Sequence, residues 1–299
     1  MEDRMPTRPY CDSLGRLLQV PTPPRRLLAL VPSLTETLFA SGYGPQVVGV
    51  TTYCTEPAAA VATKPRLGGT KNPDIAAILA LRPELVLAVA EENRPQDVEA
   101  LTQAGIPVYV FDPRTVRDGI DLLWRLAELL TCPDHVRAHI EAIEQVYAET
   151  QALVAQRPRV RVFCPIWKDP YMTINEDTYL HDVLRVCGGD NIFAHRQRRF
   201  PLSADLGHGP EATGTRYEAR DRRYPRVTLA EMAALHPDVV LLPDEPYVFR
   251  ASDLADFAPF NPVPAVQQGR IHLIDGKLRT WYGPRLGASL QTVRALCSP

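Results

Sequence analysis

Residues 25–42 read RRLLALVPSLTETLFASG, and this stretch decides the fold. The apolar run LLAL has the length and composition of a buried strand, and Pro32 stops it. Leu34, Leu38 and Phe39 then recur at helical spacing. Ser33 and Glu36, three apart, read as a capping box at the helix start. Gly42 suits the left-handed residue just past the helix end. The unit is therefore strand, abrupt turn, helix. A dinucleotide or P-loop site needs glycines between strand and helix, so that backbone N–H groups reach phosphate. Pro32 and Ser33 fill that turn here, which argues against phosphate binding at this corner. The helix still opens at the carboxyl end of a strand, where open α/β sheets place ligands.

The alternation continues outward. Strand-like runs at 27–31, 47–52, 85–90 and 108–112 are interleaved with helical runs at 34–41, 73–82, 94–104 and 115–130. Such alternation predicts a parallel sheet covered on both faces. A long amphipathic segment follows, with Val136, Ile140, Ile143, Tyr147 and Val154 on one stripe. Thr131 is its expected N-cap and Pro133 suits its first turn. An uninterrupted helix of this length is about 36 Å long, a strut and not a flexible linker. Strand and helix patterns resume at 159, broken by a polar insert at 194–223. The stretches ALRPELVLA (80–88) and ALHPDVVLL (234–242) echo each other on either side of the long segment. The expected organisation is an N-terminal extension or hairpin (1–26), an α/β lobe (27–131), the connecting helix (132–157) and a second α/β lobe (158–299).

Composition narrows the function. A length of 299 residues suits two lobes, and 45% hydrophobic with 23% charged residues is that of an ordinary globular chain. A net charge of −2 argues against a nucleic-acid partner. The basic runs RQRR (196–199) and RDRR (220–223) read as solvated loop. The scattered cysteines form no Cys-x-x-Cys pair and read as reduced thiols. No apolar run is long enough to span a membrane, and the polar N-terminus does not read as a signal peptide. The chain as written is expected in the cytoplasm; an upstream start would place it in the periplasm or on a membrane. No nucleophile–base set emerges, so no enzyme activity is expected. His135 and His139 stand four apart on the long helix without a third ligand, so no metal site is expected.

Several segments, in order, resemble a known family: DSLGRLLQVPTPPRRLLALVPSLTETLFASG, VVGVTTYC, GGTKNPDIAAILALRPELVLA, the single long helix, and VLRVCGGDNIF. Together they resemble the substrate-binding proteins of ABC importers for cobalamin, ferric siderophores and haem, most of all the cobalamin-binding branch. The resemblance implies an α/β fold of two Rossmann-like lobes with mainly parallel sheets, joined by one backbone helix. It also implies a ligand, cobalamin or another corrinoid, held between the lobes. The partners expected are this large organometallic small molecule and an ABC permease, with the chain itself a monomer. Haem or a ferric siderophore is the alternative ligand. A cytosolic corrinoid-handling chaperone or enzyme on the same fold is a further alternative.

A corrinoid is a broad ring edged with amides, so its site needs flat apolar surface and a few hydrogen-bonding groups. Tyr53 ends a strand, and the resemblance places a tyrosine of cobalamin binders there. Trp167 and Tyr171 follow the first strand of the second lobe. Tyr224 falls where the family carries an aromatic before proline. Trp281, Tyr282 and Arg285 lie in the last loop, and Asp244, Glu245 and Tyr247 follow a buried strand. Arg285 and Arg279 would also suit an anionic siderophore. In two loops where the family's cobalamin binders can carry tryptophan, this chain has Thr70 and Val89. The family docks its importer through one acid on each lobe, and the nearest candidates are Asp74 and Glu231.

Overall fold

A computed structural model of the chain describes residues 6–298 except Ala219, and the Arg279 side chain also lies outside the described set. It divides into two compact units. The first runs to Pro113 and adds Arg117–Glu144 and Trp281–Leu286; the second comprises Arg114–Val116, Gln145–Thr280 and the segment from Gly287. Trp281–Leu286 thus fold with the first unit, far in sequence from its other elements. Within the first unit, Thr7–Cys11 and Leu17–Pro21 form an antiparallel hairpin closed by the buried Asp12, which accepts the Leu14 and Arg16 amides.

Each unit holds one four-stranded parallel sheet. In the first, β1 (Leu27–Ala29), β2 (Val47–Gly49), β3 (Leu85–Val89) and β4 (Val108–Phe111) lie in the order β2-β1-β3-β4. In the second, β5 (Val160–Phe163), β6 (Gly189–Asn191), β7 (Val239–Pro243) and β8 (Ile271–Ile274) lie in the order β6-β5-β7-β8. The two orders are the same. β3 and β7 are buried along their whole length, as central strands covered on both faces must be. Leu28, Leu30, Ile78, Val86, Leu101 and Val110 build the first core; Phe163, Met232, Val240, Leu242 and Phe257 build the second.

The sequence echo has a structural cause. Arg82 (φ 46°) and His236 (φ 45°) both turn left-handed between a short helix and the third strand of their sheet. In the first unit Glu84 accepts the Arg25 amide, and the Arg26 guanidinium donates to the Leu81 and Arg82 carbonyls. In the second, Asp238 accepts the Arg161 amide at 2.9 Å, and the Arg161 guanidinium donates to the Leu235 carbonyl. An arginine at the start of each first strand, Arg26 just before β1 and Arg161 within β5, thus satisfies orphan carbonyls at the end of the helix ahead of the third. The acid after the proline, in turn, takes the backbone N–H of the residue before that arginine in the first unit and of the arginine itself in the second.

The long segment is one helix, Asp134–Val154, about 31 Å at 1.5 Å per residue, and its residues divide between the two units at Glu144/Gln145. Thr131 is not its N-cap. It closes the preceding helix, Val116–Leu130, in a left-handed conformation (φ 55°), while the Cys132 amide bonds back to the Ala127 carbonyl. A β-branched residue is costly there. Thr131→Gly is therefore expected to stabilise the protein by about 0.5–1 kcal/mol, the relief of strain exceeding the added chain entropy. Urea unfolding checks this; a lowered midpoint at unchanged slope refutes it.

Ser33 and Glu36 also depart from the sequence reading. The helix α1, Pro32–Ala40, starts at the proline, its N-cap is Val31, and no side chain caps it. Proline favours the first helical position, which pushes Ser33 inside the first turn. Ser33 is 3% exposed and its Oγ has no hydrogen-bond partner among the described residues. Gly42 does take the left-handed position, at φ 82°. The 194–223 insert is mostly exposed, as read for its two basic runs, yet it is not structureless. It carries the short helices Leu202–Asp205 and Thr215–Glu218 and is organised by two buried residues, Phe200 and Asp205. The guanidinium groups of Arg198 and Arg220 lie over the Phe200 ring, 4.8 Å and 4.2 Å from its centre.

Candidate ligand-binding site

In the first unit, Tyr53 stands in the turn after β2 and is 61% exposed. Its ring lies over Gly69, where an added Cβ would come within 3.1 Å of it and 2.4 Å of the Asn72 side chain. Gly68 (φ 79°) and Gly69 pair with Asn72–Pro73 in a minimal hairpin, so the two glycines shape the bed of the tyrosine. The positions Thr70 and Val89 add no aromatic surface, and Val89 is buried in β3.

The last loop is packed, not open. Trp281 is 7% exposed and Tyr282 is buried, its hydroxyl 3.1 Å from Glu92. Arg285 donates from Nε to both Glu36 oxygens at 2.8 Å, and its Nη2 lies 2.6 Å from Glu36. Its guanidinium also sits 5.8 Å from the Trp281 ring centre. Arg285 is therefore neutralised inside its own unit and is not a spare cation for an anionic ligand. Gly283 permits this docking, because a Cβ there would fall 2.6 Å from Thr37 Oγ1. Glu36, read as a cap, is in fact the anchor of this loop.

In the second unit, Trp167 is 41% exposed and meets Tyr247 edge to face at 5.8 Å. Tyr247 in turn meets Phe249 at 4.7 Å, and Phe249 stacks on the buried Tyr171. The Tyr171 hydroxyl donates to Asp256 at 2.7 Å, so Tyr171 supports the aromatic row from beneath instead of offering a face. Lys168, the neighbour of Trp167, lies 2.7 Å from Asp253 and 2.7 Å from Asp256. The lysine hydrogen bond holds both carboxyls below their ordinary range, and the two carboxylates raise the lysine. Burial, followed by the Asp256 hydrogen bond, raises the Tyr171 phenol. Sequence reading missed this network. Its signal is Asp253 and Asp256, three apart in a helical turn, together with a lysine beside an aromatic.

Tyr224 is half-buried with the Arg223 guanidinium 5.5 Å from its ring. Asp244 is exposed but accepts the Gly276 amide at 2.7 Å, and Glu245 packs so close to Gly276 that a Cβ there would reach its backbone at 2.8 Å. These acids brace two loops together. Asp74 is exposed and N-caps the helix Ile75–Ala80, accepting from Ala77. Glu231 completes a capping box with Thr228, accepting its amide at 2.7 Å.

Two parallel sheets of identical order, with aromatic side chains exposed near strand ends, define a fold of paired α/β units. Residues 27–278 match the family described as Periplasmic binding protein, and the chain belongs to it. This is a family of binding proteins, not enzymes. The chain is 31% identical over 176 residues to the vitamin B12-binding protein of Salmonella typhimurium, a stretch that covers 59% of this chain. That stretch is 65% of the relative's length, a little under two thirds. Among solved structures it resembles the periplasmic vitamin B12 binding protein BtuF of Vibrio cholerae, with a TM-score of 0.74 and 21% identity over 92% of this chain and 97% of that one. It also resembles the periplasmic heme-binding protein RhuT from Roseiflexus sp. RS-1, with a TM-score of 0.72 and 22% identity over 91% and 97%.

Proposed function

We propose that this protein binds a corrinoid and hands it to an ABC importer. The observation that carries this reading is the Trp167–Tyr247–Phe249 aromatic row, exposed at Trp167 and fixed beneath by the Lys168–Asp253–Asp256 network. A flat ring edged with amides needs such a rigid apolar surface. The sequence relatives named for vitamin B12 support the corrinoid over other large rings. Tyr53 supplies the exposed aromatic of the first unit, and Tyr224 a further face of the second. Asp74 and Glu231 are the proposed contacts to the permease; both keep carboxylate oxygens beyond the one used in capping.

The test is calorimetric titration with cyanocobalamin, with haemin and a ferric siderophore as competitors. Burying one large aromatic against a ring face contributes about 1–3 kcal/mol, so Trp167→Ala and Tyr53→Ala should each weaken binding roughly 5- to 150-fold. Trp281→Ala, at a buried site, should instead lower stability. Binding of haemin or the siderophore with no heat from any corrinoid overturns the reading.

A further inference from the structure

One face of the second unit joins the exposed Trp167 to the cation Arg226. Trp167 pairs with Met172, and Met172 pairs with Arg226, both antiparallel. The Thr173 amide donates to the Pro225 carbonyl and the Val227 amide to the Tyr171 carbonyl, each at 3.0 Å. Met172 and Arg226 are therefore a non-hydrogen-bonded pair, the geometry that brings opposed side chains closest on one face. Cross-strand partners share a face, so Trp167, Met172 and Arg226 form one row, and Tyr224, two residues before Arg226, falls on the same side.

Arg226 is poorly satisfied in this row. A guanidinium has five N–H donors. Here Nη1 donates to the Tyr224 carbonyl at 3.2 Å, and the buried Nε has no acceptor among the described residues. The carboxylate that favours its charge, Asp205, is occupied. It accepts the Arg199 and Arg226 backbone amides and lies 3.5 Å from the Arg196 guanidinium. Burial and the neighbouring Arg198 both disfavour the Arg226 charge, with Asp205 opposing them. The Arg198 amide also donates to the Arg222 carbonyl, which brings the two basic runs of the sequence side by side. An aromatic surface thus ends in an undercompensated cationic edge.

We propose that this edge is a subsite for an anionic group of the ligand, so that the protein selects a corrinoid carrying a phosphodiester over one lacking it. The inference rests on the corrinoid reading above. Arginine suits the role because its planar fork binds phosphate oxygens by charge-assisted hydrogen bonds.

The experiment titrates wild type, Arg226→Met and Arg226→Lys with cyanocobalamin, which has a phosphodiester, and with dicyanocobinamide, which has none. Wild type should bind cyanocobalamin more tightly. Arg226→Met should lose about tenfold toward cyanocobalamin while changing little toward dicyanocobinamide. Arg226→Lys should keep part of the preference. Equal losses toward both ligands, or no loss toward either, overturn the subsite and leave the corrinoid reading standing. Failure of both corrinoids to bind wild type overturns the corrinoid reading and the subsite with it. Should Arg226→Met fail to fold, competition on wild type decides: inorganic phosphate should weaken cyanocobalamin binding only. Equal effects of phosphate on both ligands, or none on either, again overturn the subsite.

Discussion

Asp205→Ala is expected to destabilise the protein by about 3–5 kcal/mol, the cost of removing one partner from a buried ionic cluster. Asp205 is 0% exposed. It accepts the Arg199 amide at 2.9 Å and the Arg226 amide at 2.7 Å, and lies 3.5 Å from the largely buried Arg196 guanidinium. Truncation leaves two backbone donors without their acceptor and takes the counter-ion from Arg196, which keeps only the Asp205 and Gln197 carbonyls, and buried unmade hydrogen bonds are expensive. The effect should extend past the insert, because the Arg226 amide fixes the chain that pairs with Met172. Asp205→Asn keeps one acceptor oxygen and should cost less. Urea unfolding followed by far-ultraviolet circular dichroism reads the loss. A loss under about 1 kcal/mol would show that water replaces the carboxylate and that the insert is open.

The same insert shows where sequence reading stops. Strands and helices of both units were legible because short apolar runs such as LLAL and VVLL, bounded by proline and alternating with helical spacing, read as buried strands. The Thr228–Glu231 capping box has two local partners three positions apart, so its pattern lies within the sequence itself, and the structure contains it. Ser33 and Glu36 have the same spacing yet make no box, because Pro32 shifts the helix start and Arg285, 249 positions away, takes the carboxylate. Polar residues in the insert look solvated until tertiary contact reveals which acid lies inside. Asp205 and Phe200 cannot be told from their exposed neighbours by composition. The candidate site divides in the same way. Aromatics near strand ends were legible as residue types, but exposure separates Tyr53 and Trp167 from the buried Tyr171, Trp281 and Tyr282. The two halves of the network that fixes the Trp167 row are visible in the sequence as residue types, but their pairing needs the fold, since Asp253 lies 85 residues from Lys168.

Lys168→Met should both destabilise the second unit and change its response to acid. Lys168 and its two carboxylates have side chains only 17%, 9% and 31% exposed, for Lys168, Asp253 and Asp256 respectively. Removing the cation leaves Asp253 with the Arg250 amide and Asp256 with the Tyr171 hydroxyl but two close anions without a counter-ion, a loss of about 1–3 kcal/mol at neutral pH. The pH dependence follows from the shifts. Asp253 and Asp256 are held below their unfolded range by the lysine, so their contribution is present above about pH 4 and is lost as pH falls through the lowered values. Lys168 is raised, so its contribution is full below about pH 10 and is lost only as pH rises through the raised value. Between these limits the network's contribution is flat. In Lys168→Met the carboxyls are no longer held down and protonate more readily. The stability gap to wild type should therefore be widest near neutrality and should narrow as pH falls below about 4. Binding should weaken too, because the residue that tethers Trp167 to the 250–256 turn is gone. Denaturant titrations from neutral pH into acid measure the gap. A gap that stays constant into acid would show that the lysine acts through packing alone and would remove the electrostatic account of how the Trp167 surface is held.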